Sequence, residues 1–257
     1  MKVKDLIRTN NKDIEELLLY ILKTNNIESK ISHTLTIKEK IQFEKSRERL
    51  LKNTPIEYII KKAYFYKSEF IVNKNVLIPR VETESIIPYL LNYKKILDIG
   101  TGSGAIGISV KKENPSISVT LSDISKKALD IAQKNIGNLD IQIIQSNLID
   151  KININNIDCI FANLPYIKEG THLPQSVIKY EPKIALFGGK DGLFYIKELI
   201  KDLYKKKWEG DLFLEMDPDQ INKIKLKKKI IKDPFDYNRF VMISYPITKF
   251  NINTDFN

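Results

Sequence analysis

The chain has 257 residues, with 42 Lys and Arg against 32 Asp and Glu, and a formal net charge of +10. That length allows one large domain, or a domain with a small appendage, and a core that needs no disulfide or metal staple. The single cysteine, Cys159, excludes an intramolecular disulfide and a cysteine-based zinc site, and it sits in an apolar run as a small buried hydrophobe would.

No apolar run approaches the roughly eighteen residues of a membrane span, and Met1 to Arg8 lacks the apolar centre of a secretory signal. The expected compartment is therefore the cytoplasm. His33 and His172 are too isolated to build a metal site, so none is expected. The positive balance invites a nucleic-acid reading. However, only five basic residues are arginine (Arg8, Arg47, Arg49, Arg80 and Arg239), and the rest are lysines scattered along the chain. Arginine is the side chain suited to bidentate phosphate and base contacts, so the make-up of the charge weakens that reading. Lys205–Lys207 and Lys227–Lys229 read as solvated faces near helix ends.

Residues 1–62 contain no glycine and carry helical signals. Ile14, Leu17, Leu18, Ile21 and Leu22 recur at helical spacing, and Ile41, Phe43, Leu50 and Leu51 bracket a second amphipathic helix. A small helical domain is expected here. Residues 63–84 change character. Tyr64–Tyr66, Glu69–Val72 and Val76–Ile78 are β-like, with Asn73–Asn75 as the turn between the last two, so a β-hairpin linker is expected. A polar loop, Pro79 to Glu84, then opens a helix at Ser85.

From Lys94 strands and helices alternate. Strands are expected at Ile96–Asp98, Ser118–Leu121, Ile141–Ile144, Cys159–Phe161, Leu212–Leu214 and Phe240–Ile243. Helices are expected at Ala105–Lys112, Ser125–Asn135 and Leu193–Lys206. This alternation predicts an α/β domain over residues 85–257, a largely parallel, Rossmann-like sheet with helices on both faces. Ligands of such sheets bind beyond the carboxyl ends of the strands, where Asp98, Asp123, Asn147 and Asn163 all fall.

Two motifs lie at those ends. Gly100-Thr101-Gly102-Ser103-Gly104 joins a strand to a helix, where glycines let a ligand approach the backbone. Gly102 to Gly107 also matches the dinucleotide fingerprint GxGxxG, which is weak alone. Asp123 ends the next strand and is placed for ribose hydroxyls, which a dinucleotide and S-adenosylmethionine share. Asp98 separates the two ligands, because its carboxylate would oppose a pyrophosphate but suits a cationic amino-acid tail.

The second motif, Asn163-Leu164-Pro165-Tyr166, offers an amide oxygen, a backbone carbonyl, a fixed turn and an aromatic face. An amide nitrogen is a poor nucleophile because its lone pair is delocalised, a resonance measured by a rotation barrier of roughly 18–20 kcal/mol. Moving a methyl group onto it calls for acceptors fixed on its N–H groups and for aim at the donor carbon. Asn163 Oδ1 and the Leu164 carbonyl can serve as those acceptors, Pro165 can hold the turn, and Tyr166 can stack on the planar group.

The turn resembles that of the S-adenosylmethionine-dependent amino-methyltransferases of class I. Further segments narrow the resemblance to the peptide chain release factor N5-glutamine methyltransferases. These are Pro55-Ile56-Glu57-Tyr58, Glu69-Phe70, Val76 to Glu84, Tyr180-Glu181-Pro182, Ala185-Leu186, Gly188 to Leu193, Gly210 to Glu215 with Gln220, and Arg239-Phe240-Val241. The resemblance covers the chain from about Glu48 onward.

It implies methyl transfer from S-adenosylmethionine to the glutamine of a release factor's Gly-Gly-Gln motif, without direct contact with nucleic acid; a monomer is expected. Cofactor contacts are then implied for Gly100, Thr101, Gly102, Ser103, Gly104, Asp123, Asn147, Leu148 and Asn163. Asn163 to Tyr166, together with Arg80 and Glu82, are implied at the substrate, and residues 1–62 in recognising the release factor. This sequence departs from the family pattern at Leu164 (usually Pro), Asn147 (usually Asp) and Asp217 (usually Gly). Leu164 is shared with adenine N6-methyltransferases acting on RNA, which makes adenine in RNA or DNA the alternative substrate.

Overall fold

The computed structural model describes residues 1–8, 11–247, 250–251 and 254–256. In chain order, helices α1 (Val3–Ile7), α2 (Lys12–Leu22), α3 (Ile37–Leu51) and α4 (Ile56–Ile60) come first. A hairpin of β1 (Lys62–Phe65) and β2 (Ser68–Ile71) follows. After it come α5 (Ile87–Leu90), β3 (Lys95–Ile99), α6 (Ala105–Glu113), β4 (Ser118–Asp123), α7 (Lys126–Ile136), β5 (Gln142–Gln145) and β6 (Cys159–Ala162). The last third holds α8 (Gln175–Tyr180), α9 (Phe194–Lys205), β7 (Gly210–Glu215), α10 (Pro218–Ile221), β8 (Lys229–Lys232) and β9 (Asn238–Tyr245). The chain divides into two units: Met1–Lys62 with Leu173–Tyr180, and Ala63–His172 with Glu181–Asn257.

The first unit is helical. Asn11 caps α2 by accepting from the backbone of Asp13 and Ile14, and Thr36 and Glu39 form a capping box that starts α3. Its core gathers Val3, Leu17, Leu18, Ile21, Phe43, Ile56 and Ile59. The face expected of α3 is only partly used, since Ile41 is 51% and Leu51 73% exposed while Phe43 is buried. Ile41 lies two residues, more than half a turn, from Phe43 and so falls on the opposite side. The returning helix α8 joins this unit, with the Tyr180 hydroxyl donating to the Lys52 carbonyl at 2.8 Å.

The second unit is a seven-stranded sheet in the order β5-β4-β3-β6-β7-β9-β8. The strands from β5 to β7 pair in parallel, whereas β9 pairs antiparallel with both β7 and β8. Alternate residues of each central strand feed opposite faces. Leu97, Ile160, Leu212 and Leu214 pack with α9 residues Ile196, Leu199, Ile200 and Leu203. Ile96, Phe161, Phe213 and Phe240 pack with α6, α5 and the hairpin residues Phe65 and Phe70. Cys159 lies fully buried among them, and burial raises its thiol well above the ordinary value, so it stays protonated. No helix among the described residues is long and apolar enough to cross a membrane.

Three local expectations change. The hairpin turns at Tyr66-Lys67, not at Asn73–Asn75. Asn73 does make a turn, its side chain accepting from Asn75 N at 2.9 Å, but the chain beyond it forms no strand, and Val76 and Ile78 are buried as side chains. A 3-10 turn over Val81–Ile86 precedes α5, so the helix starts later than Ser85. Lys229, expected on a solvated face near a helix end, instead opens the edge strand β8.

Gly107 shows how tightly α6 sits on the sheet. A Cβ there would clash with Leu121 and lie 3.0 Å from Val119 and 3.3 Å from Asp98 Oδ2. Gly107→Ala should therefore destabilise the protein by about 1–3 kcal/mol despite alanine's better helix propensity, a loss that urea unfolding would measure.

Candidate active site

The parallel register places the carboxyl ends of β3, β4, β6 and β7 side by side. Ile99 pairs with Ser122 on one side and with Ala162 on the other, and Ala162 pairs with Leu214. The next residues along these strands are Gly100, Asp123, Asn163 and Glu215. The first three border a cleft of about 1140 Å³, including the solvent at its mouth.

The glycine loop shapes one wall. Gly100, Gly102 and Gly104 have φ of 69°, 57° and 82°, a region that costs other residues strain. A Cβ on Gly100 would lie 3.3 Å from the Asn163 carbonyl and 3.4 Å from Leu164, so this glycine lets the loop touch the Asn163 turn. Gly102 has open space beside it. Gly104, expected at the cofactor, turns inward, where a Cβ would come within 3.2 Å of Leu121; it is not among the residues bordering the cleft. Gly104 therefore seats α6, while Gly100, Thr101, Gly102 and Ser103 face the opening.

Two acids lie behind the loop. Asp98 is 1% exposed and accepts from the Thr101 hydroxyl at 2.6 Å and from Gly107 N at 3.1 Å. Both donors reach Oδ2, which leaves Oδ1 for a ligand. Burial pushes the Asp98 carboxyl up to about 6, with Thr101 and Gly107 pulling the other way. Asp123 accepts Gly102 N on Oδ2 at 3.0 Å and Ser125 N on Oδ1 at 2.8 Å, and burial raises it too. Each of its oxygens keeps a lone pair for a sugar hydroxyl. Asn147 and Leu148 border the far end of the cleft, with Asn147 Nδ2 donating to Asp150 at 3.3 Å. A buried acid for a cationic tail, a second acid for hydroxyls and a glycine wall open to backbone approach together fit S-adenosylmethionine.

The Asn163 turn forms the opposite wall, with Asn163, Leu164 and Pro165 on the cleft. The Leu164 side chain is 5% exposed and packs into the core, so its backbone is the part available for substrate. Tyr166 points its hydroxyl at Glu215 Oε1, 3.3 Å away, and burial holds its phenol well above the usual value. Arg80 borders the cleft, and its guanidinium donates to Glu181 Oε1 at 2.6 Å. Glu82 does not border it. Its charge is instead felt at Glu215, which burial pushes up to about 7 while Thr83, Arg239 and Tyr166 counteract.

Several residues that hold the turn were not expected at the site. In the sequence, Glu215 and Gln220 are marked only by the resemblance of their strand to that of the family. Gln220, fully buried, donates to the Tyr166 carbonyl at 2.7 Å and to the Asp191 carbonyl at 3.1 Å. Asp217 caps α10 and forms a capping box with Gln220, so the residue standing in place of the family's glycine helps aim that side chain.

Gly188 and Gly192 explain their own block. A Cβ on Gly188 would strike the Pro165 carbonyl, and one on Gly192 would strike the Tyr166 carbonyl. Ile167 N donates to the Leu186 carbonyl at 3.0 Å, and Gly188 N to the Ile167 carbonyl at 2.9 Å, which straps the block to the turn. The visible signal for Glu215 was an acid closing the apolar run Leu212-Phe213-Leu214. Nothing local marked the partners of Gln220.

Among the described residues, no cluster of His, Cys, Asp or Glu could hold a metal ion. The methyltransferase small domain family matches residues 65–181. The release factor glutamine methyltransferase of Mycoplasma mycoides subsp. mycoides SC is 37% identical over 219 residues, covering 79% of this chain and 78% of that one. The enzyme of the same name from Borreliella burgdorferi is 39% identical over 232 residues, covering 82% and 79%. Among solved structures, the hMettl16 catalytic domain in complex with a MAT2A 3'UTR hairpin aligns over 95% of this chain and 92% of that one, with a TM-score of 0.54 and 13% identity. That likeness shows the fold, a class I methyltransferase sheet.

Asp98 makes the unliganded protein pH-sensitive. Its folded value lies above its unfolded one, so its contribution to stability is complete below about pH 4 and is lost as the pH rises through about 6. Asp98→Asn removes that loss. Relative to wild type, its unfolding free energy should rise by about 1–3 kcal/mol between pH 4 and pH 8, on the scale of about 1.4 kcal/mol per unit of pKa, as followed by urea titration at each pH.

Proposed function

The chain belongs to the release factor glutamine methyltransferases, and on that basis we propose that it methylates the side-chain nitrogen of the glutamine in a release factor's Gly-Gly-Gln motif. S-adenosylmethionine is the methyl donor. Bound in the cleft, it supplies an electrophilic methyl carbon on a sulfonium centre. Asp98 would take the cationic tail, Asp123 the ribose hydroxyls, and Asn147 with Leu148 the adenine end, against the wall made by Gly100 to Ser103.

The observation that carries this reading is the meeting of the glycine loop and the Asn163 turn, where a Cβ on Gly100 would press on the Asn163 carbonyl at 3.3 Å. A planar amide placed on the turn can donate one N–H to Asn163 Oδ1 and the other to the Leu164 carbonyl. Those two bonds orient the nitrogen toward the methyl carbon, and Pro165 fixes the backbone that offers them. Tyr166 closes the turn, and Arg80 and Glu82 serve the approaching chain. As the carbon–nitrogen bond forms, the methyl carbon's bond to sulfur would break and leave neutral S-adenosylhomocysteine, and the methylated nitrogen would give up one proton to water at the mouth of the cleft. No dedicated general base is assigned, because positioning and fixed dipoles carry the transfer.

We assign residues 1–62 to recognition of the release factor, residues 63–84 to the linker and residues 85–257 to catalysis. The enzyme acts as a monomer in the cytoplasm without touching nucleic acid. Its scattered lysines and single buried thiol agree with this.

Labelled S-adenosylmethionine incubated with release factor or with RNA tests the substrate. Label in the release factor, lost when its glutamine is replaced, is the expected result; label in RNA alone would refute the proposal. Asn163→Ala should lower turnover by about 100-fold or more, the scale for removing one fixed polar partner, while calorimetric affinity for S-adenosylmethionine stays within about threefold. Leu164→Pro keeps the carbonyl but removes a buried side chain. It should remain active in the same assay and lose about 1–3 kcal/mol in urea unfolding.

A further inference from the structure

Asn163 can serve as an acceptor only if its side-chain amide faces the right way. The two ends of that amide have nearly the same shape and opposite hydrogen-bonding roles. If Nδ2 faced the cleft, it would meet the substrate's N–H groups donor to donor. What decides the orientation lies behind the turn. Glu215 closes β7 one register step beyond the Ala162 and Leu214 pair, so its side chain stands beside Asn163. Asn163 Nδ2 donates to Glu215 Oε2 at 2.9 Å. The flipped amide would set two acceptor oxygens against each other at that distance, in a place where Glu215 is 2% exposed.

We infer that Glu215 is a positioning residue for methyl transfer, a partner that in its carboxylate form can only accept and so holds Asn163 with Nδ2 inward and Oδ1 toward the reacting amide; this rests on the function proposed above.

The surroundings of Glu215 agree. Thr83, from the loop after the hairpin, donates its hydroxyl to the same Oε2 at 2.8 Å. Tyr166 donates to Oε1 at 3.3 Å. Three neutral donors from two chain segments, the loop after the hairpin and the Asn163 turn, thus converge on one carboxylate, and each addresses it as an acceptor. Arg239 stands near enough to favour the negative charge, yet its own ion pair is with Asp233 at 3.0 Å. Glu215 is therefore not consumed by a salt bridge. A buried carboxylate with only neutral hydrogen-bond donors is a costly way to close a strand, and an apolar residue would serve the core better. The orientation that it imposes on the Asn163 amide accounts for an acid at this place. The same contact ties the hydroxyl of Tyr166 to the amide of Asn163, so both ends of the turn share one anchor.

The test uses the full-length enzyme, labelled S-adenosylmethionine and release factor. Glu215→Leu removes the acceptor and should lower kcat at least 100-fold, with KM for release factor and affinity for S-adenosylmethionine within threefold. Because that variant could also disturb the fold, a charge exchange supplies a second reading. Asn163→Asp alone places two carboxyls together and should be nearly inactive. Adding Glu215→Gln lets the new amide donate to one Asp oxygen and leaves the other as the acceptor for substrate. The double variant should recover at least tenfold over Asn163→Asp.

A double variant no better than Asn163→Asp, or a Glu215→Leu enzyme with kcat within threefold of wild type, overturns the inference alone. A wild-type enzyme that leaves release factor unlabelled overturns the proposed function and this inference with it.

Discussion

The parallel pairing of β3 with β4 on one side and β6 on the other is the constraint from which the site follows. Parallel strands point their carboxyl ends the same way. Residues at those ends therefore gather around one opening. Gly100, Asp123 and Asn163 border it and Glu215 lies behind Asn163; all come from separate segments of the chain, and the register brings them together. The antiparallel β9 adds a brace to β7 from the far side, and Arg239 on that strand carries positive charge toward Tyr166 and Glu215.

Two buried carboxylates then divide the work. Asp98 lies under the glycine loop and Glu215 under the Asn163 turn, each nearly without solvent. Both are held by neutral donors and not by ion pairs, and burial raises both above their ordinary values. Desolvation makes such groups expensive for the fold. It also makes them effective, because a charge or an acceptor in a dry place is felt strongly by whatever is set against it. The two walls of the cleft are thus built on one plan, a buried acid beneath a backbone turn to which it is hydrogen-bonded.

The turn itself is stiffened from outside. Gly188 and Gly192 allow the block after α8 to lie directly on the carbonyls of Pro165 and Tyr166, and Gln220 ties the Tyr166 carbonyl to Asp191. Rigidity of this kind substitutes for a second proline in the turn. Leu164, which stands where the family usually has Pro, is anchored by its buried side chain instead. A leucine there is therefore compatible with a fixed carbonyl at the same position.

By itself the sequence determined the alternation of strands and helices, the helical character of residues 1–62, the glycine loop, the Asn163 turn and the family. These are all local: hydrophobic period, glycine spacing and a contiguous motif can be read without knowing which residues meet. Its failures share one cause. The turn of the hairpin lies at Tyr66-Lys67 and not at Asn73–Asn75, and Lys229, exposed as expected, opens a strand instead of lying near a helix end, because strand pairing is a relation between segments. Only the tertiary structure decided that Glu215 lies behind Asn163, that Gln220 holds Tyr166, and that Thr83 reaches the same carboxylate. Those contacts span 52, 54 and 132 residues of chain, and the desolvation that gives a buried carboxylate its force exists only once the sheet has closed around it.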